Sequence, residues 1–230
     1  MNIAIVTGAS SGMGKEFVKQ LSSYVKVDEV WVIARREQAL KELQALCPYP
    51  IRPLAFDLGK EESFSSISAL LEKEQPDVKL LVNAAGFGKF GRFEKIPLAD
   101  ELGMIDLNCK ALVAMTRIVL PYMHSGSHIL QLDSLSAFQP VPYIATYGAT
   151  KSFVLSFSRA INKELENRKI RVIAVCPGWV KTEFFDRAKT DDTISYYNYM
   201  YEAANVVKQA IRDMKKGKDV SVHGKYARFQ

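Results

Sequence analysis

Tyr147 and Lys151 stand four residues apart in a segment whose apolar spacing predicts a helix, so their side chains share one helical face. Such a pair could move a proton. A free tyrosine has a pKa of about 10, too high for an efficient base near neutrality. A lysine ammonium beside it favours the phenolate and is expected to lower that value. The phenol would donate a proton to a developing alkoxide, and its anion would remove one from an alcohol. With ten tyrosines in the chain this spacing is common by chance, so its weight depends on what else the chain brings to it.

A second candidate lies near the amino terminus. Gly8, Gly12 and Gly14 follow the β-branched run Asn2 to Thr7 and precede a helix marked by Phe17, Val18 and Leu21. Glycine allows a sharp turn, and lets a pyrophosphate approach the amides of a helix N-terminus, where the dipole favours negative charge. Tight helix–strand packing also favours glycine. At the first strand of an alternating chain, however, the turn points to a dinucleotide. About twenty residues further on, an acid would bind the ribose 2′-hydroxyl of NAD, whereas an arginine accommodates a 2′-phosphate. The chain reads Ala34-Arg35-Arg36, with no acid before Glu37. An arginine fork matches phosphate in shape and charge, which predicts NADP(H) over NAD.

These residues need a frame to hold them. Strands are predicted at Asn2 to Thr7, Val30 to Ala34, Ile51 to Phe56, Lys79 to Asn83, His128 to Asp133, Ile170 to Cys176 and Asp219 to Val222. Helices are predicted after the glycine turn and over Glu37 to Leu46, Glu61 to Lys73, Leu98 to Met123, Thr146 to Asn167 and Glu202 to Lys215. Strands apolar on both faces, separated by helices, imply an α/β fold: a doubly wound parallel sheet of about seven strands with helices on both faces. With no repeat or linker, residues 1–230 are expected to form a single domain.

With these pieces placed, the sequence resembles the short-chain dehydrogenase/reductase family in its compact, single-domain, Rossmann-like branch. The resemblance runs from Thr7-Gly8 through Asn83-Ala84-Ala85-Gly86, Asn108, Ser134 and Tyr147-Gly148-Ala149-Thr150-Lys151 to Pro177-Gly178-Trp179-Val180-Lys181-Thr182. Ser134 lies thirteen residues before Tyr147, the family's interval. The segment reads Asp133-Ser134-Leu135-Ser136 where the family usually has adjacent serines, so Ser136 is a nearby competitor. The resemblance implies that Ser134 holds the substrate oxygen, that Lys151 also holds ribose hydroxyls, and that Asn108 keeps a water linking Lys151 to solvent. It implies a cofactor surface formed by Gly8, Ser10, Ser11, Gly12, Met13, Gly14, Arg35, Arg36, Asp57 beside the adenine, and Leu58. Asn83, Ala84, Ala85 and Gly86 would extend it along the adenosine, with Pro177, Gly178, Val180 and Thr182 near the nicotinamide, beside Tyr147 and Lys151. Net NADP(H)-dependent interconversion of a ketone or aldehyde and an alcohol is the expected reaction. A non-catalytic NADP-sensing module is the alternative; an epimerase or dehydratase would usually carry a longer chain with a substrate domain.

Loops expected to face the substrate carry Phe87, Phe90 and Phe93; Phe138, Val141 and Tyr143; then Trp179, Phe184 and Phe185, with Tyr196, Tyr197, Asn198 and Tyr199 further along. Their bias suggests an apolar or aromatic small-molecule carbonyl rather than a sugar. By the resemblance, the helices over Leu98 to Met123 and Thr146 to Asn167 would associate copies into a homodimer or homotetramer. The net charge is +6, but its lysines and arginines are interspersed with acids, which does not suggest nucleic acid. The opening apolar run, Ile3 to Val6, is too short for a secretory signal or a membrane span. Cys47, Cys109 and Cys176 show neither disulfide nor zinc spacing, and His124, His128 and His223 lack metal-ligand spacing. A reducing cytoplasm is expected.

Overall fold

The computed structural model describes residues 1–188, 194 and 199–224. Strand β1 (Asn2–Thr7) leads through the glycine turn into α1 (Gly12–Gln20), and β2 (Glu29–Ala34) into the short α2 (Glu37–Lys41). β3 (Ile51–Ala55) precedes α3 (Glu61–Glu74), and β4 (Asp77–Asn83) precedes α4 (Leu98–Ile105) and α5 (Ala111–Val119). β5 (His128–Leu132) is followed by the long α6 (Ala145–Glu164) and by β6 (Arg171–Cys176). The chain closes with β7 (Val180–Lys181), α7 (Phe184–Ala188), β8 (Tyr201–Glu202), α8 (Ala203–Lys215) and β9 (Val220–Val222).

Seven strands form one parallel sheet in the order β3-β2-β1-β4-β5-β6-β9. The order reverses between β1 and β4, so the loops leaving those strands diverge to opposite sides and open a crevice at the carboxyl edge. Side chains alternate across the sheet. Ala4, Val6, Val30, Val32, Leu80 and Val82 pack with Phe17 of α1 and Val207 of α8. Ile3, Ile5, Trp31, Ile33, Val78 and Leu81 pack on the opposite face with Ile67 of α3 and Met115 of α5. Burial on both faces is why these strands read as unbroken apolar runs.

The segment from Leu98 to Met123 is largely helical, as expected, but not uniformly so. A π turn over Asp106–Lys110 separates α4 from α5, and a 3₁₀ turn over Leu120–Tyr122, containing Pro121, ends the run. The expected helix to Leu46 tightens to 3₁₀ geometry from Glu42, and the one to Asn167 ends at Glu164. The two-residue ladder between β7 and β8 was not anticipated, because pairs this short carry no periodicity. Among the described residues, no helix is long and apolar enough to cross a membrane, and no group of three or more His, Cys, Asp or Glu could hold a metal ion.

Candidate active site

A cleft of about 720 Å³ opens at the carboxyl edge of the sheet. Its lining includes all the catalytic and cofactor-binding candidates of the sequence except two. Asn83, expected along the adenosine, lies buried beneath the cleft. Its Nδ2 donates to Gln131 Oε1 at 2.9 Å and Thr116 Oγ1 at 3.1 Å, so its amide organises the sheet instead of facing a ligand. Asn108 sits on the π turn behind Gly86. Its Oδ1 accepts from the Phe87 amide at 3.0 Å, and its Nδ2 donates to Phe87 O at 2.9 Å and Thr150 Oγ1 at 3.0 Å. The side chain thus clamps the end of the β4 loop to α6.

The glycine turn forms the nucleotide end. Gly8 has a left-handed φ of 66°, and a Cβ there would lie 2.6 Å from Ala84 O. Thr7 fixes the same junction, its Oγ1 accepting from the Ala84 and Ala85 amides at 3.0 and 3.1 Å. Arg35 lines the cleft from the end of β2. Arg36 donates to Ser10 O at 3.2 Å and pairs with Glu183 at 3.0 Å, both groups being well exposed. Asp57 lines the cleft beyond β3, its Oδ1 accepting from the Gly59 amide at 3.0 Å.

The proton-transfer candidates converge at the other end. Ser134 follows β5, and its Oγ accepts from the Ser136 amide at 3.2 Å and the Ser136 hydroxyl at 3.1 Å. The competing serine therefore supports Ser134 and is itself buried. Tyr147 lies in the first turns of α6, and Lys151 Nζ sits 5.6 Å from the centre of its ring. Lys151 is 6 % exposed and donates to Leu132 O at 2.7 Å. Burial lowers its pKa, opposed by the negative charge of Asp133.

The expected lowering of the Tyr147 pKa draws on Lys151 together with an oxidised nicotinamide; Lys151 by itself does not outweigh burial here. The Tyr147 phenol is held well above its ordinary pKa rather than below it. Burial is the main cause; hydrogen bonding with Ser134 works against it, and Asp133 adds to it. For this phenol the cost of moving the charged form out of water exceeds what the neighbouring groups return to it.

Phe90, Val141, Trp179, Phe184 and Phe185 wall the cleft beside Tyr147. Phe90 meets Trp179 edge-on with centroids 5.8 Å apart, and Phe184 lies 5.6 Å from the Tyr147 ring. Phe93, Phe138 and Tyr143 are exposed and outside the lining, although Gln139, Val141 and Ile144 beside the latter two line the cleft. Tyr199 lines the cleft, whereas Tyr196, Tyr197 and Asn198 lie outside the described residues. Three charged lining groups had been given no role: Asp133, Glu183 and Arg187, whose guanidinium stands 3.6 Å over the Phe87 ring. A polar residue ending an apolar strand was the one available signal for Asp133.

The cleft fits a dinucleotide carrying an extra phosphate. The turn that a Cβ would block lies against a helix N-terminus, and two arginines stand at the end of the neighbouring strand. Sheet order, glycine turn and tyrosine–lysine pair together make the architecture of a nucleotide-binding oxidoreductase. The chain belongs to the short-chain dehydrogenase family, whose model, described as short chain dehydrogenase, matches residues 2–193. It is 32% identical over 214 residues to an NADP-dependent 3-hydroxy acid dehydrogenase of Schizosaccharomyces pombe, covering 90% of this chain and 79% of that one. It is 36% identical over 180 residues to a probable NADP-dependent dehydrogenase of Haemophilus influenzae, covering 76% and 70% of the two chains. A short-chain dehydrogenase from Sphingobium yanoikuyae, solved in complex with NADPH, shares the fold with a TM-score of 0.85 at 24% identity, over 100% of this chain and 91% of that one.

Proposed function

We propose that this oxidoreductase uses NADP(H) to interconvert a ketone or aldehyde and the corresponding alcohol. The observation that carries the reading is the convergence of Ser134, Tyr147 and buried Lys151 in the cleft that the glycine turn enters. Bound NADP(H) would supply or accept the hydride. The turn over Gly8 to Gly14 would hold its pyrophosphate and Arg35 and Arg36 its 2′-phosphate, with Lys151 reaching the ribose. Ser134 Oγ would donate a hydrogen bond to the carbonyl oxygen and fix its position. The Tyr147 phenol, held protonated by burial, would give its proton to the developing alkoxide. In the reverse direction its anion would take that proton back, and Lys151 would stabilise the anion. Asn108 would act by anchoring the loop that carries Gly86 to α6.

Replacing Tyr147 with Phe removes the proton donor and keeps the ring against Phe184. NADPH oxidation with a carbonyl panel should then fall by about 10²–10⁴-fold, with NADPH affinity retained. Retention of a large fraction of kcat would overturn the reading. The aromatic wall supports an apolar or aryl carbonyl. Arg187 at the cleft favours a second possibility, a carboxylate-bearing substrate, in keeping with the name of the S. pombe relative. A panel of aryl ketones, long-chain ketones, 3-hydroxy acids and sugars separates the two, and a preference for sugars would refute both.

Association into a homodimer or homotetramer is supported by an apolar stripe on α4. Leu98, Leu102 and Ile105 recur at helical spacing and are 71%, 52% and 46% exposed. Phe153 and Phe157 of α6 stack with centroids 5.9 Å apart.

A further inference from the structure

Asp133 is a carboxyl group buried where a neutral residue would be far less costly. It is 2 % exposed and occupies the step between β5 and Ser134. Its amide is satisfied by Val175 O at 2.8 Å. Its carboxylate is held by the Ser134 amide and by a weak, 3.5 Å contact from the Cys176 thiol to Oδ2, while Oδ1 has no hydrogen-bond partner among the described residues. The residue before it gives its carbonyl to Lys151 Nζ, so the ammonium is anchored one residue from Asp133 at the end of the same strand and feels the charge of its carboxylate.

We propose that Asp133 is a positioning residue for the proton transfer: its carboxylate offsets the charge of Lys151 at Tyr147, holding the phenol in its proton-donating form and biasing the site toward carbonyl reduction. The inference rests on Tyr147 being the proton donor. Every titratable group facing Asp133 fits it. From α6, Lys151 and Tyr147 both feel its charge. From β6, the Cys176 thiol is pushed up by burial and stays neutral. On the π turn, the Cys109 thiol beside Lys151 is also pushed up by burial. Among the described residues facing Asp133, that leaves Lys151 and Tyr147 to respond to its charge. Burial pushes the Asp133 carboxyl up to about 7, against the pull of Lys151, so its influence switches on across neutrality. As pH rises through that range, the new negative charge opposes ionisation of Tyr147, and the phenol survives to higher pH.

The test replaces Asp133 with Asn, which preserves shape and removes the charge. A fluorinated tyrosine placed at position 147, whose intrinsic pKa lies in an accessible range, is titrated by ¹⁹F NMR with and without Asp133→Asn. The midpoint should fall by on the order of one pH unit in the variant. In steady-state assays of NADPH oxidation, the alkaline limb of kcat should move down with it, while KM for NADPH stays unchanged. Alcohol oxidation at neutral pH should rise several-fold. A midpoint that stays or rises would overturn the inference. Removing a buried charge should not cost folding, and Asp133→Ser provides a second neutral variant expected to move the midpoint the same way. The NMR titration needs no substrate. If the wild-type protein turned over no carbonyl, the proposed reaction would fail while the titration still decided the role of Asp133.

Discussion

Three glycines in one turn separate two physical reasons for being glycine, and alanine substitutions should rank accordingly. Gly12 has a left-handed φ of 52°, but a Cβ there meets only the Thr182 side chain at an ordinary 3.4 Å. Gly12→Ala therefore carries backbone strain alone, about 1–2 kcal/mol. Gly14 has no left-handed φ, yet a Cβ would lie 2.3 Å from Gly8 O, a backbone atom that cannot rotate away. Gly14→Ala should cost about 1–3 kcal/mol or somewhat more through forced displacement of the turn. Gly8 combines both, with φ at 66° and a Cβ 2.6 Å from Ala84 O, so its substitution should cost about 2–5 kcal/mol. For a chain of this size each kcal/mol lowers the melting midpoint by about 2–4 °C, so Gly8→Ala should melt roughly 10 °C below the parent. Urea titrations followed by Trp fluorescence measure the order directly. If Gly8→Ala were no less stable than Gly12→Ala, the close approach of the turn to β4 would not be the constraint claimed.

Asp213 is buried, accepts hydrogen bonds from Gln209 and Ser221, and pairs with Lys218. Burial raises its pKa, but those bonds and the Lys218 charge outweigh it and leave the carboxyl below its ordinary value. Its stabilisation should be complete above the unfolded-state pKa of about 3.9 and disappear as pH falls through the lower folded value. Asp213→Asn should be less stable near neutrality, with the deficit narrowing toward acid in pH-dependent urea titrations. Asp133 has the opposite sign: its folded value of about 7 lies above the unfolded one. The stability of the parent relative to Asp133→Asn should therefore decline between pH about 4 and about 7, as differential scanning calorimetry would register. Replacing Arg35 and Arg36 together with alanine should weaken NADPH by about tenfold or more, and NADH little, in fluorescence titrations. Leu102→Glu should shift the sedimentation coefficient to that of a monomer; an unchanged value would locate association elsewhere.

The doubly wound sheet was legible because its strands are buried on both faces and its helices keep their period. The π turn was not. Residues Asp106 to Lys110 contain neither Gly nor Pro to mark an irregularity, and the turn carries Asn108, whose bonds to Phe87 and Thr150 arrive from distant segments. Asn83 misled for a related reason. The resemblance implied a place for it along the adenosine, but the partners that turn its amide inward, Thr116 and Gln131, come from α5 and β5. The four-residue spacing of Tyr147 and Lys151 conveyed the lysine's charge, though not the burial or the Asp133 carboxylate that reverse the tyrosine's shift in this structure.

The bond from Lys151 Nζ to Leu132 O indexes the ammonium to main chain rather than to a neighbouring side chain. A carbonyl is present whatever amino acid occupies position 132. Drift along β5 can therefore change the identity of its residues while leaving the lysine's anchor in place, provided the strand keeps its register with β4 and β6. Inheritance of the site is in that respect inheritance of a backbone, and the side chains around it are left at liberty to diversify with the substrate.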